Sequence, residues 1–383
     1  MAKKKKTSKP AVPAKPTSAA RLTTRLRKLE EKLVQQLNEH ATLVQKLNRT
    51  SSGEQARGGQ DRRGPAVDML DPAVQQRRLA ELVASNPGPL ADGSLRAVLR
   101  ELVSGTRSLV APVNVAYLGP EHSYSHVAAI EHFGSSAALV PVATIGAVFE
   151  EVHESKAAYG LVPIENSTDG RIVDTLDMFA RIPVRICGEV QLRIHHQLLA
   201  NCARESICEV LSKPQALSQC RNWLAKHLPG VLTLEMTSTA AAAKMAVEKS
   251  GVAAIASREA GMAYGLNVIV AEIEDSKDNV TRFVVISHES APKTGRDKTA
   301  LMFELDHRPG ALADVMTVFK RHRLNLTWIE SFPMRQTKNE YLFFVEFVGH
   351  AQEVKSRRAL ASLEKKVVRV DVLGSFAQTE PVG

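Results

Sequence analysis

Val113-Asn114-Val115-Ala116-Tyr117-Leu118, then Gly119-Pro120-Glu121-His122-Ser123-Tyr124-Ser125, then the run from His126 to Phe133, is the stretch that decides the fold. The short apolar run predicts a strand, the Gly-Pro segment a turn, and the apolar spacing after it a helix. The unit then repeats. A strand fits 138–140, a helix 145–154 and a strand 159–163, and the polar turn Glu165-Asn166-Ser167-Thr168-Asp169-Gly170 opens a helix over 173–180. Further strands fit 184–199, 232–235 and 253–255, with helices over 215–227, 239–249 and 257–261. Repeated strand-turn-helix order predicts an α/β sheet. Ligands of open α/β sheets sit at the carboxyl ends of strands, where polar turns expose backbone N–H groups. Three hydroxyl-rich turns occupy such places: Ser123-Tyr124-Ser125, Glu165-Asn166-Ser167-Thr168 and Thr237-Ser238-Thr239.

On the amino-terminal side the pattern is helical. Leu22, Leu26, Leu29, Leu33, Leu37, Leu43, Val44 and Leu47 recur at threes and fours over 21–47, an amphipathic helix. A Gly/Ser/Gln/Arg-rich loop is expected over 51–65, then helices over 71–84 and 94–109, separated by Asn86-Pro87-Gly88-Pro89. These helices bury little surface alone, so a dimerising helical hairpin is expected. On the carboxyl side, after a linker at 290–298, strands at 299–305, 324–331, 340–348 and 367–372 alternate with helices at 311–321 and 354–364. That order, βαββαβ, is ferredoxin-like.

The net charge of +9 is mostly a tail, because six lysines and no acid fall among the first 20 residues. Interleaved with prolines and alanines, that tail reads as a disordered solubilising leader rather than a nucleic-acid arm. No apolar run long enough to span a membrane occurs, and no apolar stretch follows the lysines as in a secretory signal. A cytoplasmic location without membrane or nucleic-acid partners is therefore expected. Cys187, Cys202, Cys208 and Cys220 lack metal-site spacing and read as reduced thiols.

Asp278-Asn279-Val280-Thr281-Arg282-Phe283 carries the most chemistry. A polar turn delivers a hydroxyl, a guanidinium and an aromatic ring at the mouth of the apolar strand Val284-Val285-Ile286-Ser287. A hydroxyl beside a fixed cation suits a small anionic substrate, since a guanidinium holds a carboxylate in a planar fork. A plain loop-to-strand junction with an exposed arginine fits the same residues.

Four strings in one order resemble a known family: Tyr117-Leu118-Gly119-Pro120 with Ser123-Tyr124-Ser125; Val162-Pro163-Ile164-Glu165-Asn166-Ser167 with Gly170; Pro214-Gln215-Ala216-Leu217 with Gln219-Cys220; and Thr281-Arg282-Phe283. They resemble prephenate dehydratases, and Pro309-Gly310-Ala311-Leu312 with Glu330-Ser331-Phe332-Pro333 resembles the ACT regulatory domain that follows them. From about residue 20 to 375 the chain is similar to bifunctional chorismate mutase/prephenate dehydratases. After the disordered basic tail over 1–20, the resemblance implies an all-α mutase-like domain over 21–111, a dehydratase domain over 112–289 and an ACT domain over 298–376. It implies a dehydratase domain of two α/β subdomains around a periplasmic-binding-protein-like cleft.

The implied reaction converts prephenate to phenylpyruvate, water and CO2 in phenylalanine biosynthesis, with no metal or redox cofactor. On this resemblance Thr281 hydrogen-bonds or protonates the departing oxygen, and Glu165 is either an acid or part of a capping turn. Arg282, Phe283, Asn166, Ser167, Ser123, Tyr124, Ser238 and Thr239 are the implied substrate-binding set. Gly310, Ala311, Leu312, Glu330 and Ser331 are the implied site for L-phenylalanine at a subunit interface of a homodimer or homotetramer. Arogenate dehydration, an active bifunctional enzyme and a non-catalytic aromatic amino-acid sensor are the alternatives.

The chain departs from the family pattern in places. His122-Ser123 stands for the usual Gly-Thr, Lys213 for a His, and Phe332 for an Arg of the regulatory motif. A mutase pocket needs converging cations, yet its expected positions fall on Thr23, His40, Ser51, Val74, Gln75 and Val110, with only Thr106 kept. Dimerisation with weak or lost mutase activity is therefore expected of the helical part.

Overall fold

Apolar spacing over 21–47, without a single Gly or Pro, builds most of α1 (Ser18–Gln55). The computed structural model describes residues 18–55, 72–333 and 341–383. The lysines of the tail and residues 56–65 of the expected loop lie outside these, whereas 51–55 continue the helix instead of forming a loop. By itself α1 exposes Leu22, Leu26, Leu29, Leu33, Leu43 and Leu47. A stripe of this length at helical spacing is an exposed apolar face. No described helix is long and apolar enough to cross a membrane.

The remaining described residues form a second unit. It begins with α2 (Pro72–Ala84) and α3 (Asp92–Ser108), which pair with each other. A first lobe follows, comprising β1 (Asn114–Leu118), α4 (Tyr124–Phe133), β2 (Ala138–Val142), α5 (Ile145–His153), β3 (Tyr159–Asn166), β4 (Gly170–Arg171), α6 (Val173–Arg181) and β5 (Arg185–Arg193). The chain then crosses into a second lobe, which starts with β6 (Gln197–Ala200), β7 (Glu209–Ser212), α7 (Pro214–Gln219), α8 (Arg221–His227) and β8 (Leu232–Glu235). α9 (Thr239–Glu248), β9 (Val252–Ala256), α10 (Arg258–Tyr264) and β10 (Asn267–Val270) complete that lobe, and β11 (Val280–Ser287) returns to the first sheet. The sheets run β2-β1-β3-β11-β5, with β4 on β3, and β10-β6-β9-β7-β8. Two crossings between two sheets make a two-lobed α/β body with a cleft between the lobes.

The expected strand over 184–199 is in fact β5 and β6, in different sheets, broken at Ile194-His195-His196. Alternation continues across the break, so periodicity gives no sign that the pairing partner changes. The helix over 215–227 is likewise two, α7 and α8, and β7 and β10 were not anticipated. Thr281 and Arg282 lie within β11, paired on both sides, rather than at a strand mouth.

The last part is β12 (Asp297–Glu304), α11 (Ala311–Arg321), β13 (Leu326–Pro333), β14 (Tyr341–Val348), α12 (Val354–Leu363) and β15 (Arg369–Ala377). Its antiparallel sheet runs β13-β14-β12-β15, the ferredoxin-like order. One face of this sheet shares a core with the first lobe, where Ile186, Val284 and Ile286 meet Met302, Phe344 and Phe376. The approach is close enough that a Cβ on Gly374 would lie 2.1 Å from the Ile186 carbonyl oxygen.

Candidate active site

Thr281 and Arg282 are neighbours on β11, and strand alternation sends their side chains to opposite faces. On one face Asn166 Nδ2 donates to Thr281 Oγ1 at 2.8 Å. The Asn166 amide can point only one way, because its Oδ1 accepts from the backbone N–H groups of Thr168 (2.9 Å) and Asp169 (3.1 Å). Its second N–H goes to Asn279 Oδ1 at 2.9 Å. Asn279 Nδ2 therefore donates onward to Gln219 Oε1 at 2.9 Å, and the same oxygen meets His196 Nε2 at 2.9 Å. An oxygen only accepts, so His196 carries its proton on Nε2 and faces the Tyr124 hydroxyl, 3.0 Å away, with Nδ1. Burial holds the His196 pKa below its ordinary value and the Tyr124 pKa well above its own. The ring is therefore neutral and the phenol un-ionised.

The polarity of this chain has a chemical consequence. Thr281 Oγ1 already accepts one bond, and its own O–H is left to donate. The network also spans the lobes, since Gln219 belongs to the second lobe and its Nε2 reaches Asp169 of the first at 3.3 Å.

The other face of β11 is charged. Arg282 donates to Glu165 at 2.7 Å, to Glu189 at 2.8 Å and to Glu346 of β14 at 2.8 Å, and its guanidinium lies 5.2 Å from the Trp328 ring centroid. Lys298 adds a 2.5 Å contact to Glu189. Burial disfavours the charged arginine, but Glu346 and Glu189 more than reverse this and raise its pKa. Burial likewise works against ionised Glu189, and Lys298 and Arg282 outweigh it, holding that carboxyl below its ordinary range.

This geometry revises several expectations. Arg282 does not sit beside Thr281 as a free anchor, because four of its five N–H directions point at carboxylates. Glu165 faces Arg282 rather than Thr281, with its carboxylate 2.7 Å from the guanidinium. Phe283 is 1% exposed in the core of the first lobe.

A model of prephenate dehydratases matches residues 115–291. The chain is 37% identical to the bifunctional chorismate mutase/prephenate dehydratase of Pseudomonas aeruginosa over 93% of its own length and 96% of the relative's. The chain belongs to this bifunctional family. The corresponding protein of Aquifex aeolicus is also 37% identical, with 91% and 95% covered. Prephenate dehydratase from Arthrobacter aurescens in complex with L-Phe superposes with a TM-score of 0.66 at 32% identity, covering 70% of this chain and 90% of that one. The chain is a prephenate dehydratase.

The family setting makes the remaining residues readable. Ser167 Oγ donates to the Asp278 carbonyl and accepts from Val280 N–H, both at 2.9 Å, and so ties the Asn166 turn to the start of β11. Ser123 caps α4 and Ser238 caps α9, accepting from His126 and Ala241 N–H groups; Thr239 is buried. No hydrogen bond among the described residues joins Ser238 or Thr239 to the Thr281 network. His122 has a left-handed φ of 64°, the region that favours glycine, which accounts for the glycine usual there. Its ring centroid lies 5.4 Å from that of Tyr264 in the second lobe.

In the regulatory part Gly310 starts α11 with φ 83°, Ala311 is buried and Leu312 is 38% exposed. Glu330 pairs with Arg171 at 2.8 Å, Ser331 is exposed, and Phe332 is buried in the core shared with the first lobe. Around the family's mutase helices, Val74 is buried, and Arg107 donates to Gln75 and to the Phe133 carbonyl. Arg100 pairs with Glu131. These cations fasten the helices to the first lobe.

Asn279, Gln219 and His196 were not anticipated as site residues, and neither were Glu189, Lys298 and Glu346. The signal for part of the last group was present, since Glu346 interrupts the otherwise apolar strand β14, and a charge there needs a partner. Nδ1 of His195 and the carboxylates of Glu272 and Glu274 lie within 4.8 Å of one another, but Glu274 already accepts from His195 and the His196 N–H.

Proposed function

We propose that the cleft face of β11 carries out the dehydration, with Thr281 as the group that touches the departing oxygen. The observation that carries this is the fixed donation of Asn166 Nδ2 to Thr281 Oγ1, which leaves the hydroxyl proton for the substrate. As the ring carboxylate of prephenate departs as CO2, its bonding electrons move through the ring and expel the hydroxyl at the far carbon. Thr281 donates to that oxygen as it gains charge, and one proton from solvent completes water. Aromatisation drives the step, so orientation and charge stabilisation are the tasks left to the protein. Asn166, Asn279, Gln219 and His196 orient Thr281, and Tyr124, Ser123, Ser238 and Thr239 edge the cleft.

The protein works in the cytoplasm in phenylalanine biosynthesis. The ferredoxin-like part takes L-phenylalanine at Gly310, Ala311, Leu312, Glu330 and Ser331. The leucine face of α1 is covered by a second copy, giving a homodimer or homotetramer. Chorismate mutase activity is weak or lost, which Arg100 and Arg107 support by being committed to the first lobe.

Purified protein assayed separately with prephenate, arogenate and chorismate, with and without L-phenylalanine, tests this reading. Phenylpyruvate release from prephenate, with chorismate turnover far slower, is expected. Preference for arogenate moves the substrate within the class, and binding of prephenate without product overturns the catalytic reading in favour of a sensor.

A further inference from the structure

Arg282 and Thr281 are joined by one peptide, yet they belong to different worlds: a neutral cleft network and a buried charge cluster. The ladder that would fix their backbone is interrupted at this point. Pairing of β11 with β3 slips between Arg282 and Phe283, which face Glu165 and Pro163 and leave Ile164 as the extra residue. A bulge of this kind re-aims the side chains beside it, and its geometry is set by whatever anchors them. Thr281 is anchored by Asn166, and Arg282 by Glu165, Glu189 and Glu346.

Of these carboxylates, Glu165 and Glu189 belong to the same sheet as β11, but Glu346 is on β14 of the ferredoxin-like sheet. Its side chain is 1% exposed and accepts from Arg282 with both oxygens, at 2.8 and 2.9 Å. A second ion pair crosses the same junction, from Arg171 on β4 to Glu330 on β13. β4 in turn pairs with Glu165 and Asn166 of β3. A displacement of β13 or β14 therefore reaches the bulge by two routes, one through Arg282 and one through the Glu165-Asn166 end of β3.

We propose that Arg282 is a positioning residue for Thr281 whose placement is set from the ferredoxin-like sheet through Glu346, so that occupancy of that sheet changes turnover in the cleft. It rests on the reading that places Thr281 at the reacting oxygen. The effect falls on kcat rather than KM, because a shift of about 1 Å at Thr281 degrades the transition-state contact by up to roughly 100-fold while leaving substrate binding surfaces in place.

The test is made on the full-length protein with Glu346→Gln, which keeps the shape and removes the charge, and with Glu346→Asp, which keeps the charge and shortens the reach. Steady-state kcat and KM for prephenate are measured per folded molecule, with folding followed by circular dichroism and L-phenylalanine binding by calorimetry. For Glu346→Gln we expect kcat down about tenfold with KM within about twofold. L-Phenylalanine should still bind, while changing kcat less than about twofold. Wild-type kcat together with a wild-type response to L-phenylalanine overturns the proposal, whatever the melting temperature. If Glu346→Gln does not fold, Glu346→Asp decides by the same readings. If the parent protein binds no L-phenylalanine, the effector reading fails separately and the kcat arm alone decides. Undiminished turnover by Thr281→Ala would remove the reading on which the proposal rests.

Discussion

The two faces of β11 solve different problems with different chemistry. On the cleft face every group from Asn166 to Tyr124 is neutral; backbone donors at Thr168 and Asp169 fix the first amide, so the bonds run outward from Asn166 through Asn279 to Gln219 Oε1, where His196 donates from the other side. On the opposite face Arg282 and Lys298 meet three carboxylates, of which Glu189 and Glu346 have almost fully buried side chains. A neutral chain fixes direction, which a proton donor needs. A charge cluster fixes position, because removing any member leaves an uncompensated buried charge. Removing a charge from the cluster should therefore read out in stability, with turnover falling as well where the hold of Arg282 on Thr281 is loosened, whereas mutating the neutral face should read out in turnover alone.

The largest effect expected is on the charged face. Glu189→Gln leaves Arg282 and Lys298 with Glu346 as the one charged partner they share and should cost about 3–5 kcal/mol of folding stability, measured by denaturant unfolding. A loss below about 1 kcal/mol would erase the contrast between the faces. Next comes Thr281→Ala, for which kcat should fall about 10²–10³-fold, as for loss of one preorganised donor. Its stability should change by less than about 1 kcal/mol.

Asn166→Asp sharpens the argument about direction. The introduced carboxylate can only accept from Thr281, so it turns the hydroxyl proton away from the substrate, and kcat near neutral pH should fall about 100-fold. Activity should recover in part as pH is lowered and the new acid becomes protonated, a profile that simple loss of packing would not give. The smallest effect is the acid response of the parent protein. Glu189 has a folded pKa below its unfolded value of about 4.3, so its stabilising contribution is full above that value. It is lost as pH falls through the folded pKa, at up to about 1.4 kcal/mol per pH unit. Unfolding curves collected from neutral pH to acid should show this slope, and Glu189→Gln should flatten it.

Much of the architecture was legible in residue order alone. The strand-turn-helix units around 113–133, the βαββαβ order of the last module and the leucine spacing of α1 are local patterns, and local patterns determine element type. The four motif strings brought Thr281 and Asn166 forward together, and the structure pairs them directly. By contrast, the pairing of 184–199 into two sheets was hidden, because alternation is the same whichever sheet a strand joins.

The sequence by itself determined the family, the order of elements and the presence of a hydroxyl and a cation side by side at Thr281-Arg282. Only the tertiary structure decided that they face apart, with the hydroxyl bonded by an amide chain and the cation held by Glu346 of another sheet. The physical reason is that strand alternation separates adjacent side chains, while the partners that give each its role lie up to 117 positions away, at a distance no local pattern records.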